Sequence, residues 1–299
     1  MQKIIAVVGP TSSGKTNLSL KLAKAFKGEV ISADSRQVYR GFDLCSGKIA
    51  PGEMMGVKHH LLSIASPNKT YTVARFIKNA LAAIKHILEN NSLPIVAGGT
   101  GLYLDALLQN QTIPNVKPNP KLRRNLEKKT AEQLFARLKQ KDPARAQAID
   151  QFNPRRLIRA LEIAQAIGKT PPLDKSPQYQ TLYLGLNPGA AKLRQRIKKR
   201  LQQRLKQGMV QEIKKLHDQQ KLSWPRLESF GLELKYVSQY LQGKISEKHL
   251  TAKLNTEIYR YAKRQLTWFR RNKNIHWLTT LKQARKLTKD FLAENQKLP

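Results

Sequence analysis

Eight residues constrain this chain more than any others. Gly9-Pro10-Thr11-Ser12-Ser13-Gly14-Lys15-Thr16 fit the phosphate-loop pattern G-x-x-x-x-G-K-[S/T]. The flanks fit as well. Lys3 to Val8 (KIIAVV) has the unbroken apolar run of a short buried strand, and Thr16 to Phe26 sets Leu18, Leu22 and Phe26 on one side of a helix. A strand, a glycine turn and a helix start aim backbone N–H groups and the positive end of a helix at an anion. Lys15 is then placed to reach phosphate oxygens, and the Thr16 hydroxyl to meet a magnesium ion, Mg2+. The reading is a phosphate chain held by Gly9, Thr11, Ser12, Ser13, Gly14, Lys15 and Thr16.

What carries that phosphate is narrowed by charge. The 299 residues hold 55 Lys and Arg against 20 Asp and Glu, a formal net charge of +35. Residues 1–113 contribute 13 basic and 6 acidic side chains, residues 114–299 contribute 42 and 14. So lopsided an excess marks a polyanionic partner, of which nucleic acid is the usual one. The one cysteine, Cys45, excludes an internal disulfide framework and any multi-cysteine metal site, and suits a reducing cytoplasm. The first strand opens at residue 3, which leaves no room for a signal peptide, and no apolar run approaches membrane-spanning length. A cytoplasmic protein without a membrane partner is expected.

Along the chain, Gly28 to Asp34 reads as a second buried strand ending on Asp34, which is either a site residue beside the phosphate loop or a turn and cap residue. Ser35-Arg36-Gln37-Val38-Tyr39-Arg40 follows it. Gly41 to Lys69 reads as irregular active-site loop, and His59-His60 within it lacks companions at metal-ligand spacing. Thr72 to Asn91 is the clearest helix, with one stripe from Val73 to Leu88. Pro94 to Gly98 is a further strand, running into Gly98-Gly99-Thr100-Gly101. That turn permits close backbone approach to a ligand with Thr100 as its hydroxyl; otherwise it is a plain tight turn.

Prolines in 113–120 and Pro171-Pro172 bracket a helical insertion at 114–178, with helices at Lys121 to Lys141, near Ala144, and from Asn153 to Gly168. Gln180 to Leu186 returns to the sheet. Ala190 to Gly208 is a helix with Leu193, Ile197, Leu201, Leu205 and Met209 on its buried side. Its parallel stripe of Arg196, Arg200 and Arg204 is a solvated face or an anion site, because like charges one turn apart repel. Glu247 to Arg271 is a long helix with interleaved arginines and aromatics, Ile275 to Leu278 a last strand, and an amphipathic helix ends the chain. The fold class expected is α/β, a P-loop NTPase-like parallel sheet with flanking helices (1–113 and 179–299) and an all-helical insertion domain (114–178). Two functions compete: a small-molecule or nucleoside kinase using ATP, and a transferase or ATPase acting on nucleic acid. The charge favours the second.

GPTSSGKT, ISADSRQVYRGFD, HHLL, PIVAGGTGLY, NPRRLIRALE and YAKRQLTWFRR together resemble the tRNA dimethylallyltransferases, or tRNA isopentenyltransferases, in their shorter bacterial form. The resemblance implies transfer of a dimethylallyl group from dimethylallyl diphosphate to the exocyclic amine of the adenosine 3′ of the anticodon, with the phosphate loop holding a diphosphate leaving group. It implies Asp34 as general base, Thr100 beside the reacting groups, Thr16 on magnesium, and Arg196 and Arg200 on the diphosphate. It further implies contacts to the tRNA anticodon stem-loop from Asp34, Ser35, Arg36, Gln37, Thr100, Arg123 and the run Arg155, Arg156, Leu157, Ile158, Arg159, with a flipped adenine as acceptor and a monomeric enzyme. Two stretches depart from the family pattern. Cys45-Ser46-Gly47-Lys48-Ile49 stands where Gly-Thr-x-Lys-Pro is usual, and Ser63 where Asp is usual.

Overall fold

Six strands pair in parallel: β1 (Lys3–Val8), β2 (Gly28–Ser32), β3 (His59–His60), β4 (Leu93–Gly98), β5 (Gln180–Leu186) and β6 (Ile275–Leu278), in the order β3-β2-β4-β1-β5-β6. The computed structural model describes residues 1–109, 113, 114, 116–169 and 177–294, and counts here refer to these. α1 (Lys15–Ala25), α2 (Val73–Glu89) and α3 (Gly101–Leu108) lie before residue 110. α4 (Pro120–Leu126), α5 (Ala131–Lys141), α6 (Pro143–Gln147) and α7 (Pro154–Ile167) follow. After β5 come α8 (Ala190–Lys206), α9 (Met209–Asp218), α10 (Trp224–Ser229), α11 (Leu232–Leu241), α12 (Glu247–Phe269) and, beyond β6, α13 (Leu281–Ala293). The chain divides into two compact units, Met1–Gln109 with Pro177–Pro299, and Asn110–Ser176.

A parallel sheet needs cover on both faces, which is why its strands read as continuous apolar runs. On β1, Ile4, Ala6 and Val8 enter one core and Ile5 and Val7 the other. α1 and α13 cover the second face through Leu18, Leu22 and Ala284. The first face is covered by Phe76, Ile84 and Ile87 of α2, Leu104 of α3, Leu193, Ile197 and Leu201 of α8, and Leu254 and Ile258 of α12. The sheet places the carboxyl ends of β1, β2 and β4 side by side.

The second unit has its own core of Leu126, Leu134, Leu138, Leu157, Ile158 and Leu161. A single helix over Lys121 to Lys141 is expected, but two form. Thr130 accepts from Gln133 N, and the Gln133 side chain accepts from Thr130 N, so a capping box restarts the helix. Pro171-Pro172 lies outside the described residues.

Other boundaries move for similar reasons. Thr72 is the N-cap of α2, accepting from Arg75 N, and Asn90 its C-cap. Gly208, at φ 99°, ends the α8 stretch and opens α9, so Met209 begins a new helix. β2 stops at Ser32, two residues short of Asp34. His59-His60, expected in irregular loop, forms the edge strand β3 against Val30 and Ile31. Helices α9 to α11 have no counterpart in the sequence reading.

Phe76 is fully buried, with its ring stacked on Tyr103 at 4.2 Å between centroids. Phe76→Ala removes that contact and leaves a cavity, costing about 3–5 kcal/mol. Trp224, Trp268 and Trp277, the chain's three tryptophans, all lie in the unit of Phe76. Urea unfolding followed by tryptophan fluorescence therefore reports the loss as an earlier transition.

Candidate active site

Three loops leave the carboxyl ends of β1, β2 and β4 and meet around a cavity of about 1070 Å³. This edge of an open α/β sheet is where ligands bind, because strand ends and helix starts expose backbone N–H groups there.

The loop after β1 forms the first wall. Gly14 sits at φ 104° before α1, a conformation that costs a side chain. Ser13 Oγ is buried with no hydrogen-bond partner among the described residues. Lys15 Nζ donates to Pro10 O at 2.6 Å. Burial pushes its ammonium down to about 7; Asp34 opposes the shift and Arg200 adds to it. From α8, Arg196 donates to Ser13 O at 2.9 Å and Arg200 to Gly47 O at 2.7 Å. Burial, then the neighbouring Arg204, lowers the Arg200 guanidinium as well. Lys15 and Arg200 are thus held where positive charge is penalised, and a bound anion relieves both.

The arginine stripe of α8 therefore faces the cavity, with its members in different roles. Arg204 pairs with Glu233 at 2.6 Å and donates to Leu44 O at 3.0 Å. Glu212 accepts from Leu44 N and Cys45 N at 2.7 and 2.9 Å. Together they clamp residues 44 and 45, where the Cys45–Ile49 stretch that departs from the pattern resembled begins. Lys48 in the same loop bonds Asp43 Oδ1 and Ser63 Oγ, both at 2.7 Å, so the second departure is met by a hydroxyl contact.

The loop after β2 forms the second wall. Asp34 Oδ1 accepts from Arg36 N at 2.8 Å and Gln37 N at 3.4 Å, the turn geometry open to an Asp after a strand. Oδ2 takes no hydrogen bond from the described residues, and Asp34 lines the cavity. Thr100 stands at the N-cap of α3 yet does not cap it. Its Oγ1 instead accepts from Ser35 N at 3.1 Å, tying the β4 turn to the Asp34 loop. Gln37 Oε1 accepts from Ser32 Oγ at 3.0 Å.

Several expected contacts are already engaged. The Thr11 amide, expected to face phosphate, donates to Gln265 Oε1 at 2.8 Å. Arg36 gives Nε and a terminal nitrogen to Phe230 O at 3.0 and 2.6 Å, latching its loop to the end of α10. In the second unit, Leu157 and Ile158 are core residues, so their side chains offer no surface to RNA. Arg123 binds Glu162 through two contacts of 2.7 Å, and Arg159 meets the same carboxylate at 3.3 Å and Val116 O at 2.9 Å. Glu162 is buried, and these arginines, with Asn119 N, hold its carboxyl below the usual range against the opposing effect of burial. Arg155 and Arg156 are exposed.

Gln265 was not anticipated. Its Oε1 accepts from Thr11 N and its Nε2 donates to Gly99 O at 2.8 Å, so one buried amide joins the β1 and β4 loops. A side chain at Gly99 would collide with that amide, and one at Gly101 with the Trp268 ring. Gly99 and Gly101 thus make room for α12, while Gly98 makes room for Ala33 beyond the end of β2. The signal available was spacing: Tyr261, Gln265 and Trp268 fall on one helix face, and the first two line the cavity.

Among the described residues no cluster of three His, Cys, Asp or Glu could hold a metal alone. The cavity offers the Thr16 hydroxyl at the start of α1. That donor set fits magnesium carried by phosphate oxygens and water, the usual way this ion is bound. No helix among the described residues is long and apolar enough to cross a membrane.

A family model described as IPP transferase matches residues 37–272. tRNA dimethylallyltransferase 1 of Geotalea daltonii is 40% identical over 92% of this chain and 90% of its own length. tRNA dimethylallyltransferase 2 of Shewanella sediminis is 41% identical over 92% of each. Among solved structures, the full-length tRNA isopentenylpyrophosphate transferase of Bacillus halodurans aligns with a TM-score of 0.73 at 36% identity, covering 98% of this chain and 96% of that one. A eukaryotic dimethylallyltransferase acting on tRNA aligns at 0.83 and 28% identity, covering 98% and 80%.

The lowered Lys15 predicts proton uptake on anion binding. Below about pH 7 the free lysine is already charged. Above it, a proton must be taken up, so pyrophosphate affinity falls as pH rises, by at most ~10-fold per unit from this one group. Calorimetry at pH 8 in buffers of different ionisation heat should show more proton uptake for the parent than for Lys15→Arg, whose guanidinium is always charged. Equal uptake would show that Lys15 is already fully charged at pH 8 in the free protein and would overturn the lowering by burial.

Proposed function

The chain belongs to the IPP transferase family, and on that premise we propose that it transfers a dimethylallyl group from dimethylallyl diphosphate to tRNA. The acceptor is the exocyclic amine of the adenosine 3′-adjacent to the anticodon, position 37, and diphosphate is released. The observation that carries this reading is one cavity uniting two chemistries: cations held short of an anion, and a carboxylate with an oxygen to spare. The kinase alternative draws no support from the relatives.

In this mechanism the C–O bond to diphosphate breaks as the amine nitrogen bonds the same carbon, and the nitrogen's proton passes to Asp34 Oδ2. Lys15, Arg196, Arg200 and the loop amides stabilise the charge growing on the departing diphosphate. Gly9, Thr11, Ser12, Ser13 and Gly14 shape that cradle. Magnesium, with Thr16 among its ligands, supplies further charge neutralisation when bound. Thr100 and Ser35 fix the carboxylate loop. A target base inside the anticodon loop must leave its stack to meet Asp34, so a flipped adenine is the reacting form. Ser35, Arg36, Gln37, Arg123, Arg155, Arg156 and Arg159 belong to the tRNA-facing parts, the two arginines on Glu162 holding that unit's surface in shape. The enzyme acts as a monomer in the cytoplasm.

The donor is tested by supplying labelled dimethylallyl diphosphate or labelled ATP with unmodified tRNA. Magnesium-dependent prenylation without ATP is expected; strict ATP dependence with a phosphorylated product would restore the kinase reading. Asp34→Asn isolates the proton transfer. The amide oxygen can still accept from Arg36 N and Gln37 N, so the turn survives, but no proton can be taken. Single-turnover rates should fall by about 100- to 10,000-fold with far smaller changes in binding. A rate within about threefold of the parent, well short of that range, would remove Asp34 as the base.

A further inference from the structure

Phe152 is the most exposed large apolar side chain among the described residues, at 75%. It is absent from the core of its unit, whereas Ile149, three residues earlier, packs against that core. The exposure is built rather than loose. Phe152 N donates to Asp150 Oδ1 at 3.1 Å, and Asn153 N to Asp150 O at 3.2 Å, which closes a tight turn. Asn153 then caps α7 by accepting from Arg156 N. This holds an aromatic ring in water three residues before the exposed pair Arg155 and Arg156. Arg123 and Arg159 are committed to Glu162, while neither Arg155 nor Arg156 has a carboxylate partner among the described residues.

A lone exposed aromatic beside unpaired arginines has the chemistry of a single-stranded nucleic-acid site, in which rings stack on bases and guanidinium groups meet phosphates. We propose that Phe152 is a stacking platform for one unpaired base of the RNA substrate, with Arg155 and Arg156 on the adjoining phosphates. The proposal rests on the tRNA reading above and adds a contact that sequence comparison does not assign. Stacking is tolerant of base identity, so Phe152 contributes affinity and register, while selection of the reacting adenosine stays with the cavity.

The test uses the full chain and an unmodified tRNA transcript, with affinity measured from about 50 to 200 mM salt. The parent alone tests the underlying reading: it should bind tRNA with steep salt dependence and prenylate it, and failure here removes the function together with the stacking. Given that binding, Phe152→Ala should raise Kd by about 10- to 100-fold, the loss seen when a stacked ring is removed, with the slope of log Kd against log salt unchanged. Phe152→Trp should restore affinity. Arg155→Ala should instead flatten the slope by about one. An abasic site placed in turn at each position of the anticodon loop identifies the base, because at one position its cost should vanish in Phe152→Ala. A change within twofold, a slope that falls with Phe152→Ala, or additive costs at every abasic position would overturn the proposal. So would sedimentation showing a parent dimer that Phe152→Ala dissolves, which would assign the ring to contact between copies.

Discussion

The amide of Gln265 is the contact on which the arrangement of this site depends. It is one of few side chains able to donate and accept at once, and it does both in a buried place, taking the Thr11 N–H and giving to the Gly99 carbonyl. Unpaired, each of those backbone groups would carry a desolvation cost of about 1–3 kcal/mol. The amide therefore locks the spacing between the phosphate loop and the turn bearing Thr100. Trp268, one turn further along α12, sits against Gly101 and donates to Asp105 Oδ2 at 2.8 Å, which prevents the helix from sliding. Thr100 passes the constraint on to Ser35 and hence to Asp34. The phosphate loop and the Asp34 carboxylate are thus held in register by Gln265, Trp268 and Thr100.

Charge follows the same economy of position. Of the four arginines on α8, only Arg204 has a carboxylate partner among the described residues, Glu233, and its other terminal nitrogen donates to Leu44 O and Cys45 O. Arg196 and Arg200 are held by carbonyl oxygens, which orient a guanidinium without neutralising it. The second unit repeats the logic, with Glu162 absorbing Arg123 and Arg159 and leaving Arg155 and Arg156 for a polyanion. The net charge of +35 thus overstates the free positive surface. What matters for recognition is which cations lack a carboxylate, and that is set by packing.

That distinction explains what could be read from the sequence. The central strands and long helices were legible because apolar runs and 3.6-residue periodicity are local, and the phosphate loop because its pattern is contiguous. β3 escaped because two histidines have no strand signature; only pairing with Val30 and Ile31 makes them one. Short helices α9 to α11 lie between glycines and caps, where periodicity has too few turns to register. Leu157 and Ile158 were carried with their arginine neighbours by resemblance, although a helix sends adjacent residues to different faces. Gln265 lies 254 residues from Thr11, and nothing in either stretch announces the other.

Asp34 shows why a turn reading and a catalytic reading need not compete. The turn asks for one oxygen facing two backbone N–H groups, a task that Asn performs about as well as Asp. It asks for no charge. Yet a carboxylate stands at the cavity wall, close enough to Lys15 to raise the ammonium's proton affinity against the effect of burial. Asp or Asn serves the turn alone; the proposed proton transfer would use the charge as well. The two tasks divide within one side chain. Oδ1, bonded to Arg36 N and Gln37 N, fixes the orientation of the carboxylate, and Oδ2 is left with its lone pairs directed by that anchoring. In the proposed reaction a base held this way would need no reorganisation before accepting a proton, which is the condition for a weakly nucleophilic amine to lose one as it attacks.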